Sequence, residues 1–298
     1  MIPQWLYPLA DYPWFERCGL NYTAVWVTAF FWSFAFGACW GSFFNVCIWR
    51  IPRGESLSRE PSHCGSCGAR IKWYDNIPIV SYLVLRGHCR SCGKSYSPRY
   101  LIVELLCGTL FAAVVLKTGL TGQPAGIIFN YWVAVLYCTG AAWIDAEYRI
   151  IPDKLSYPVL VTAFISALAM PSVWGMESRI GSLAFAVLSG VFPALFAAVF
   201  AMAGKLFAKS EVLGWGDVKF LLAAGALTGL PGAFFALCFG SFTGMIYGIC
   251  AGLFTKRDLR KLTIPFGPFL AAGVIVWIFA GQFILKWYLQ MGEYLRSI

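Results

Sequence analysis

The stretch Gly214-Trp215-Gly216-Asp217 lies where one long hydrophobic run of the chain stops and a shorter one begins. Such a junction places the Asp217 carboxylate at the edge of a membrane. Glycine carries no Cβ, so another backbone, such as that of an extended peptide, can lie close to this stretch. A second carboxylate, Asp145, ends an earlier hydrophobic run. The fold therefore depends on how many of these runs cross a bilayer and where their ends meet.

Composition identifies a membrane protein. The 298 residues are 59% hydrophobic and only 12% charged, and the mean hydropathy is +0.68. Soluble domains carry about 25% charged residues. Eight hydrophobic runs follow one another, and the sequence predicts an all-α polytopic membrane protein with about eight transmembrane helices. The runs are about Ala24–Trp49, Leu101–Leu116, Gly126–Ile144, Leu155–Met170, Ile180–Met202, Val218–Leu230, Pro231–Phe254 and Ile264–Leu289.

The runs divide the chain into four predicted regions. Residues 1–23 form an N-terminal periplasmic segment, with no pattern of a cleavable signal peptide. Residues 24–49 form the first transmembrane helix, and 50–99 form a polar cytoplasmic loop. Residues 100–298 form the remaining transmembrane core, which carries both aspartates.

Positive charge predicts the orientation. Eight crossings with the 50–99 loop in the cytoplasm bring 18 of the 23 Lys and Arg residues to that side. This is the positive-inside pattern, and it explains the net charge of +9 without nucleic acid as a partner. Both termini are then periplasmic, and Asp145 and Asp217 lie on the cytoplasmic side of an inner membrane, at the lipid edge.

The polar loop contains two copies of a short cysteine unit. These are His63-Cys64-Gly65-Ser66-Cys67-Gly68 and His88-Cys89-Arg90-Ser91-Cys92-Gly93. Two C-x-x-C pairs supply four thiolates for tetrahedral Zn²⁺, and a short β-hairpin can fill the gap between them. Four thiolates leave no position for water, so the predicted zinc is structural. Two disulfides or free thiols are the alternative, although a cytoplasmic loop is reducing.

The aspartates are the candidate catalytic groups. Two carboxylates at one site hold one proton between them, so one can act as an acid while the other activates water. Asp145 alone could be an interfacial charge near Arg149, and Asp217 alone could be a helix N-cap. We expect Asp153, beside a proline, to be an N-cap. We expect Glu104, the remaining charge in a hydrophobic run, to pair with an arginine such as Arg99.

The sequence resembles the type IV prepilin peptidases, bifunctional leader peptidases and N-methyltransferases of the GxGD type. The resemblance covers about Gly41 to Gly273 and follows the order of several motifs. They are Gly41-Ser42-Phe43-Phe44-Asn45 with Arg50-Ile51-Pro52, the two C-x-x-C pairs around Asn76-Ile77-Pro78, Ser97-Pro98-Arg99-Tyr100, Glu104-Leu105-Leu106, Asp145 with Ile151-Pro152-Asp153, Gly214-Trp215-Gly216-Asp217-Val218-Lys219, and Pro265-Phe266-Gly267-Pro268-Phe269.

The resemblance implies an activity for each part. The family removes the basic leader of type IV prepilins or type II secretion pseudopilins at the cytoplasmic face, and Asp145 and Asp217 match its catalytic pair. It then methylates the new N-terminal amine with S-adenosylmethionine, an activity that the family ties to the region 50–99. The residues that hold the methyl donor are not evident, and no Rossmann-type glycine motif is present.

Two other functions fit part of the pattern. A presenilin-like intramembrane protease also carries Gly-x-Gly-Asp, but it would need its aspartates within helices and gives no account of the cysteine loop. A non-enzymatic transporter or zinc-stabilised assembly protein would account for the hydrophobic runs and the metal, and it would not depend on the Asp217 carboxylate.

Overall fold

A computed structural model describes residues 22–57, 61–208, 213–255 and 264–296. Across these ranges the chain is helical, and they contain no β-strand. The α-helices, numbered in chain order, are α1 (Tyr22–Arg50), α2 (Val80–Val84), α3 (Arg99–Thr121), α4 (Ile127–Tyr148), α5 (Asp153–Ala169), α6 (Arg179–Ala203), α7 (Trp215–Thr255) and α8 (Gly267–Arg296).

The chain divides into two compact units, Met1–Ile128 and Phe129–Ile298. The predicted periplasmic segment 1–23 lies outside the described residues except for the first two residues of α1. The first unit contains the cysteine pairs and the second contains Asp145 and Asp217. The four regions drawn from the sequence assign functions to stretches of chain and stay predictions.

In the first unit, α1 packs closely against α3 through small residues. A Cβ on Gly37 would lie 2.7 Å from the backbone oxygen of Cys107, and one on Gly41 would lie 2.9 Å from the Cα of Glu104. From the other side, a Cβ on Gly108 would lie 3.0 Å from the backbone oxygen of Phe34. Small residues let two helix backbones approach in this way inside a membrane, where dispersion contacts drive association.

The stretch between the two cysteine pairs, all of which the structure describes, contains no β-hairpin, so that expectation was wrong. The stretch between the two cysteine pairs forms a 3₁₀ turn, Trp73–Asn76, and the short helix α2. Each cysteine unit closes on itself by one isolated bridge, His63 to Arg70 and His88 to Ser95. Each unit is thus a local turn, and helical turns rather than strands fill the gap between them.

In the second unit, α7 packs against both α6 and α8. A Cβ on Gly225 would lie 2.2 Å from the backbone oxygen of Ser189 in α6. Further along, a Cβ on Gly273 of α8 would lie 2.7 Å from the Cα of Ala236. The two halves meet at Gly229, whose φ of 81° and ψ of 166° are not helical. Pro231 follows and lacks the N–H of a regular helix.

Six helices among the described residues are long and apolar enough to cross a membrane: α1, α3, α4, α6 with the π-helical turn after it, α7 and α8. The chain is therefore a multi-pass membrane protein, as predicted, but eight separate spans are not seen. The run Leu155–Met170 forms the shorter helix α5, with 17 residues. The runs Val218–Leu230 and Pro231–Phe254 join into the kinked α7.

Candidate active site and metal centre

Asp217 is buried in the first turn of α7. Its Oδ2 accepts a hydrogen bond from the backbone N–H of Gly214, 3.2 Å away. The Gly214 carbonyl in turn accepts from the backbone N–H of Asp217 at 3.1 Å. An acidic side chain that reaches back to the residue before its helix satisfies one of the free N–H groups of the first turn. The Gly-x-Gly-Asp stretch therefore fixes its own carboxylate at a helix N-terminus.

Asp145 is buried in the last turn of α4. Its Oδ2 accepts a hydrogen bond from the backbone N–H of Gly267 over 2.8 Å. Gly267 is the first residue of α8, so the donor is one of the free N–H groups at a helix N-terminus. A Cβ on Gly267 would lie 2.9 Å from both the Cβ and Oδ2 of Asp145. Only glycine allows this close approach without displacing the carboxylate.

The two aspartates come together although 72 residues separate them. The Asp145 carboxylate is close enough to Asp217 to act on it electrostatically. The site is formed by three helix ends, the C-terminus of α4 and the N-termini of α7 and α8. Helix N-termini carry partial positive charge, which favours carboxylates there. The arrangement holds two buried acids within electrostatic range of one another, each with one oxygen fixed by a backbone N–H.

Gly216 has a packing role beside this pair. A Cβ there would lie 3.2 Å from the Cβ of Ile151 and 3.3 Å from its backbone nitrogen. Ile151 lies in the short connection between α4 and α5. The second glycine of the motif therefore lets the start of α7 approach the chain that follows Asp145.

Asp153 is not an N-cap, contrary to our expectation. Pro152 occupies the N-cap of α5, no side chain caps that helix, and Asp153 is its first residue. The carboxylate instead forms an ion pair with Lys219, with 2.5 Å between Oδ1 and Nζ. Both side chains remain partly exposed. The pair links the start of α5 to the first turn of α7, near Asp217 in sequence.

Glu104 has partners other than the expected Arg99. It is buried in α3, and its Oε2 accepts a hydrogen bond from the backbone N–H of Ile79 at 2.8 Å. Its carboxylate also interacts with the Ser42 hydroxyl of α1. Ile79 has a φ of 65°, which is unusual for a β-branched residue. The carboxylate therefore holds a strained backbone turn of the polar loop.

The four paired cysteines form one cluster. The Sγ atoms of Cys64, Cys67, Cys89 and Cys92 all lie within 4.8 Å of one another. The Sγ atoms of Cys64 and Cys92 are 3.9 Å apart, close to the roughly 3.8 Å edge of a tetrahedron with Zn–S bonds of about 2.3 Å. The cluster can hold a metal ion, as the spacing predicted. His63 and His88 are outside the ligand set.

Backbone N–H groups prepare the cluster for a cation. Hydrogen bonds from the backbones of Cys92 and Ser91 lower the pKa of Cys89 to about 6. Corresponding bonds from Cys67 and Ser66 lower the pKa of Cys64. The thiolate is the form that binds metal. The first cysteine of each pair is therefore ready to act as a ligand, because the tight turn directs N–H groups at its sulfur.

Comparison with known proteins gives two family matches. Residues 35–118 match the bacterial peptidase A24 N-terminal domain, and residues 132–249 match the type IV leader peptidase family. No solved structure gives a significant match.

Curated relatives extend over most of the chain. A prepilin leader peptidase/N-methyltransferase of Aeromonas salmonicida is 32% identical, over 86% of this chain and 92% of the relative. The protein of the same name from Xanthomonas campestris is 30% identical, over 84% and 91%. That of Myxococcus xanthus is 35% identical, over 75% of this chain and 63% of its own length.

The fold and the site define a multi-pass membrane protein with two electrostatically coupled buried carboxylates in one unit and a four-cysteine cluster in the other. The family matches refine that class. The chain belongs to the type IV leader peptidase family, as the resemblance of its motifs predicted.

Proposed function

We propose that this protein removes the leader peptide of type IV prepilins or type II secretion pseudopilins and then N-methylates the new N-terminal residue. Family membership supports both activities, because the curated relatives are named for both. It favours this function over a presenilin-like protease and over a non-enzymatic transporter or assembly protein. The observation that carries the proposal is the meeting of Asp145 and Asp217 at three helix ends.

In the proposed cleavage step, Asp145 and Asp217 hold one proton between them. The ionised carboxylate takes a proton from a water molecule, and the oxygen of that water attacks the scissile carbonyl carbon. The protonated carboxyl donates its proton to the carbonyl oxygen. Collapse of the tetrahedral intermediate breaks the C–N bond, and the amine nitrogen receives the proton taken from water. The N–H groups of Gly214 and Gly267 keep one oxygen of each acid in place and leave the other oxygen for this chemistry.

We propose that the metal of the four-cysteine cluster is Zn²⁺ and that its role is structural. Cys64, Cys67, Cys89 and Cys92 would occupy all four positions, so none remains for water or substrate. The loop is a small module that includes many exposed residues, and a module of this size gains much of its folding free energy from bound metal.

For the second activity, bound S-adenosylmethionine supplies an electrophilic methyl group. The amine nitrogen of the cleaved prepilin forms the new N–C bond, the S–C bond breaks with its electron pair left on sulfur, and the amine loses a proton. Before cleavage that nitrogen is part of a peptide bond and has no nucleophilic lone pair. Methylation therefore follows cleavage, and we propose that residues 50–99 contribute to it.

We propose an inner-membrane protein with eight crossings, both termini in the periplasm and the site at the cytoplasmic face, in contact with lipid and without nucleic acid. A straight helix of 41 residues such as α7 would be about 60 Å long, twice the hydrocarbon thickness of a bilayer. Division at Gly229 gives two crossings. α5 supplies another, and the distribution of Lys and Arg residues sets the orientation.

The test uses the purified full chain in detergent with a prepilin and S-adenosylmethionine. Mass spectrometry of the product should show loss of the leader and one added methyl group at the new N-terminus. An uncleaved prepilin would overturn the proposal. A cleaved but unmethylated product would limit it to the peptidase.

A further inference from the structure

A second site lies in the first unit, away from the aspartates in sequence. A cavity of about 610 Å³ opens between the cytoplasmic-loop residues and the facing ends of α1 and α3. Small-molecule sites have volumes of roughly 300–1,000 Å³. The cavity is lined from three stretches of chain, residues 42–55, 62–85 and 96–104. Residues of two membrane-crossing helices therefore form part of its wall, together with the polar loop.

The wall combines opposite charges with aromatic rings. Arg50 supplies a buried guanidinium, which donates to the backbone oxygen of Ser56 at 3.0 Å and thereby fixes its position. Glu55 and Glu104 supply carboxylates on the same cavity. The aromatic side chains are Trp49, Tyr82, Tyr96 and Tyr100. A ligand that fits this wall carries a carboxylate, at least one cationic group and a flat ring.

One wall residue is a buried polar group without a full set of partners. Asn45 is 1% exposed, and its Nδ2 donates to the backbone oxygen of Tyr100 at 3.0 Å. Its Oδ1 accepts no hydrogen bond from any residue that the structure describes. A buried acceptor left unsatisfied is destabilising. Asn45 lines the cavity, so rotation of its side chain toward the cavity would bring Oδ1 within reach of an N–H or O–H of a ligand.

The strained turn at Ile79 lies against the same wall. Glu104 Oε2 holds the Ile79 N–H, and Ile77 two residues earlier lines the cavity. Asp75, also on the wall, is fixed by Arg90 through bonds of 2.6 to 3.1 Å. That guanidinium holds the pKa of Asp75 below its ordinary value, so the carboxylate stays ionised. The polar wall is thus preorganised and in part strained, as functional sites are.

We infer that this cavity is the methyl-donor site and binds S-adenosylmethionine. The ligand combines an α-carboxylate for Arg50, an ammonium group and a sulfonium for the carboxylates, an adenine ring for the aromatic side chains, and donors for Asn45 Oδ1. The inference rests on the proposed methyltransferase activity and assigns that activity to particular residues. It places Asn45 of α1 and Glu104 of α3 in the site, beside the cysteine loop.

The inference is tested by binding, without any prepilin present. Methyl-tritiated S-adenosylmethionine is dialysed to equilibrium against the full chain in detergent. Glu104→Gln keeps an acceptor for the Ile79 N–H but removes the charge, and it should weaken binding about tenfold. Glu177→Gln, an exposed residue that does not line the cavity, is the matched control and should bind as wild type does. Elemental analysis of Glu104→Gln should show the metal content of wild type, which reports that the loop of the first unit is folded.

A second measurement locates the ligand directly. Ultraviolet irradiation of the same complex attaches the tritiated ligand to nearby side chains, and the labelled peptide should fall within residues 42–104. Label within 129–296, or equal binding by Glu104→Gln and wild type, would overturn the inference while the methyltransferase function stands. A wild-type chain that neither binds the ligand nor methylates a pre-cut prepilin would instead refute the function itself.

Discussion

The two units of the chain build their sites in opposite ways. In the first unit, the cysteine cluster is local, and Cys64 and Cys92 are only 28 residues apart. In the second unit, the carboxylate site depends on distant chain, because the N–H that fixes Asp145 belongs to a residue 122 positions away. The cluster can thus form once its loop closes around a metal, whereas the aspartates require the ends of three long helices to be in place. Damage to one site need not damage the other.

The largest effect should come from removing either acid. We expect Asp145→Asn and Asp217→Asn each to lower prepilin cleavage by about 10³-fold or more, since an amide cannot accept and release the proton. Asn has nearly the same shape and can still accept the Gly267 or Gly214 N–H, so insertion and metal content should stay at wild-type levels. Initial rates on full-length prepilin measure the first effect, and elemental analysis measures the second.

The same variants also separate the two units. Asp217→Asn should give no methylated product from full-length prepilin, because no free amine is made, yet should methylate a prepilin whose leader was removed beforehand. If wild type methylates the pre-cut substrate and Asp217→Asn does not, the two activities share one site.

The second effect, nearly as large, concerns the cluster. Replacement of Cys64 and Cys67 together by Ser should remove the bound metal, which we expect at one Zn²⁺ per wild-type chain, and should unfold the loop around it. Methylation of pre-cut prepilin should fall before cleavage does, since Gly65 of the first cysteine turn lines the same cavity as Asn45. Replacing Cys138, which is buried in α4, by Ser is the control for loss of a thiol elsewhere. Metal that survives loss of both cysteine pairs would refute this ligand set.

From the sequence alone, the metal ligands of the first unit could be predicted, but the structure of the chain between the two cysteine pairs could not. The repeated C-x-x-C unit fixes the ligand geometry locally, so spacing was enough to identify the cluster. The gap between the pairs has no such local constraint. It folds into a 3₁₀ turn and α2, and Glu104 of α3 accepts a hydrogen bond from the Ile79 N–H just before α2. That hydrogen bond joins residues 25 positions apart, so the pattern of hydrophobic residues along the chain does not reveal it.

For the second unit, sequence could predict which residues end hydrophobic runs but not what holds them. Gly267 was visible only as part of a family motif, and its role as a donor to Asp145 appears with the packing of α8. The ion pair of Asp153 and Lys219 was missed for the same reason. The hydrophobic pattern separated Val218–Leu230 from Pro231–Phe254, but it could not show that the two runs join at Gly229 into the kinked α7.

The third prediction tests how much the hydrogen bond from the Gly267 N–H to Asp145 contributes to cleavage. Gly267→Ala should lower cleavage by about 10- to 100-fold, since its Cβ would lie 2.9 Å from Asp145 and must move the carboxylate. Gly214→Ala, whose Cβ would lie 3.3 Å from Oδ2 of Asp217 at the free end of a side chain, should have the smaller effect. Cleavage rates of the two variants, measured side by side, test this order. A Gly267→Ala protein as active as wild type would show that the Gly267 contact does not position Asp145.

The smallest effect should follow from Asp153→Asn, which tests whether a third acid near the pair takes part in cleavage. The Asp153 carboxylate is 49% exposed and pairs with Lys219, itself 34% exposed. Exposed ion pairs contribute about 0–1 kcal/mol, because water and salt screen them. We therefore expect a thermal midpoint close to that of wild type and a cleavage rate reduced far less than by Asp145→Asn. Lys219→Met removes the same pair from its other side and should have a similarly small effect on stability. An inactive Asp153→Asn beside an active Asp145→Asn would show that the catalytic pair is Asp153 with Asp217, and that Asp145, buried against the start of α8, serves packing alone.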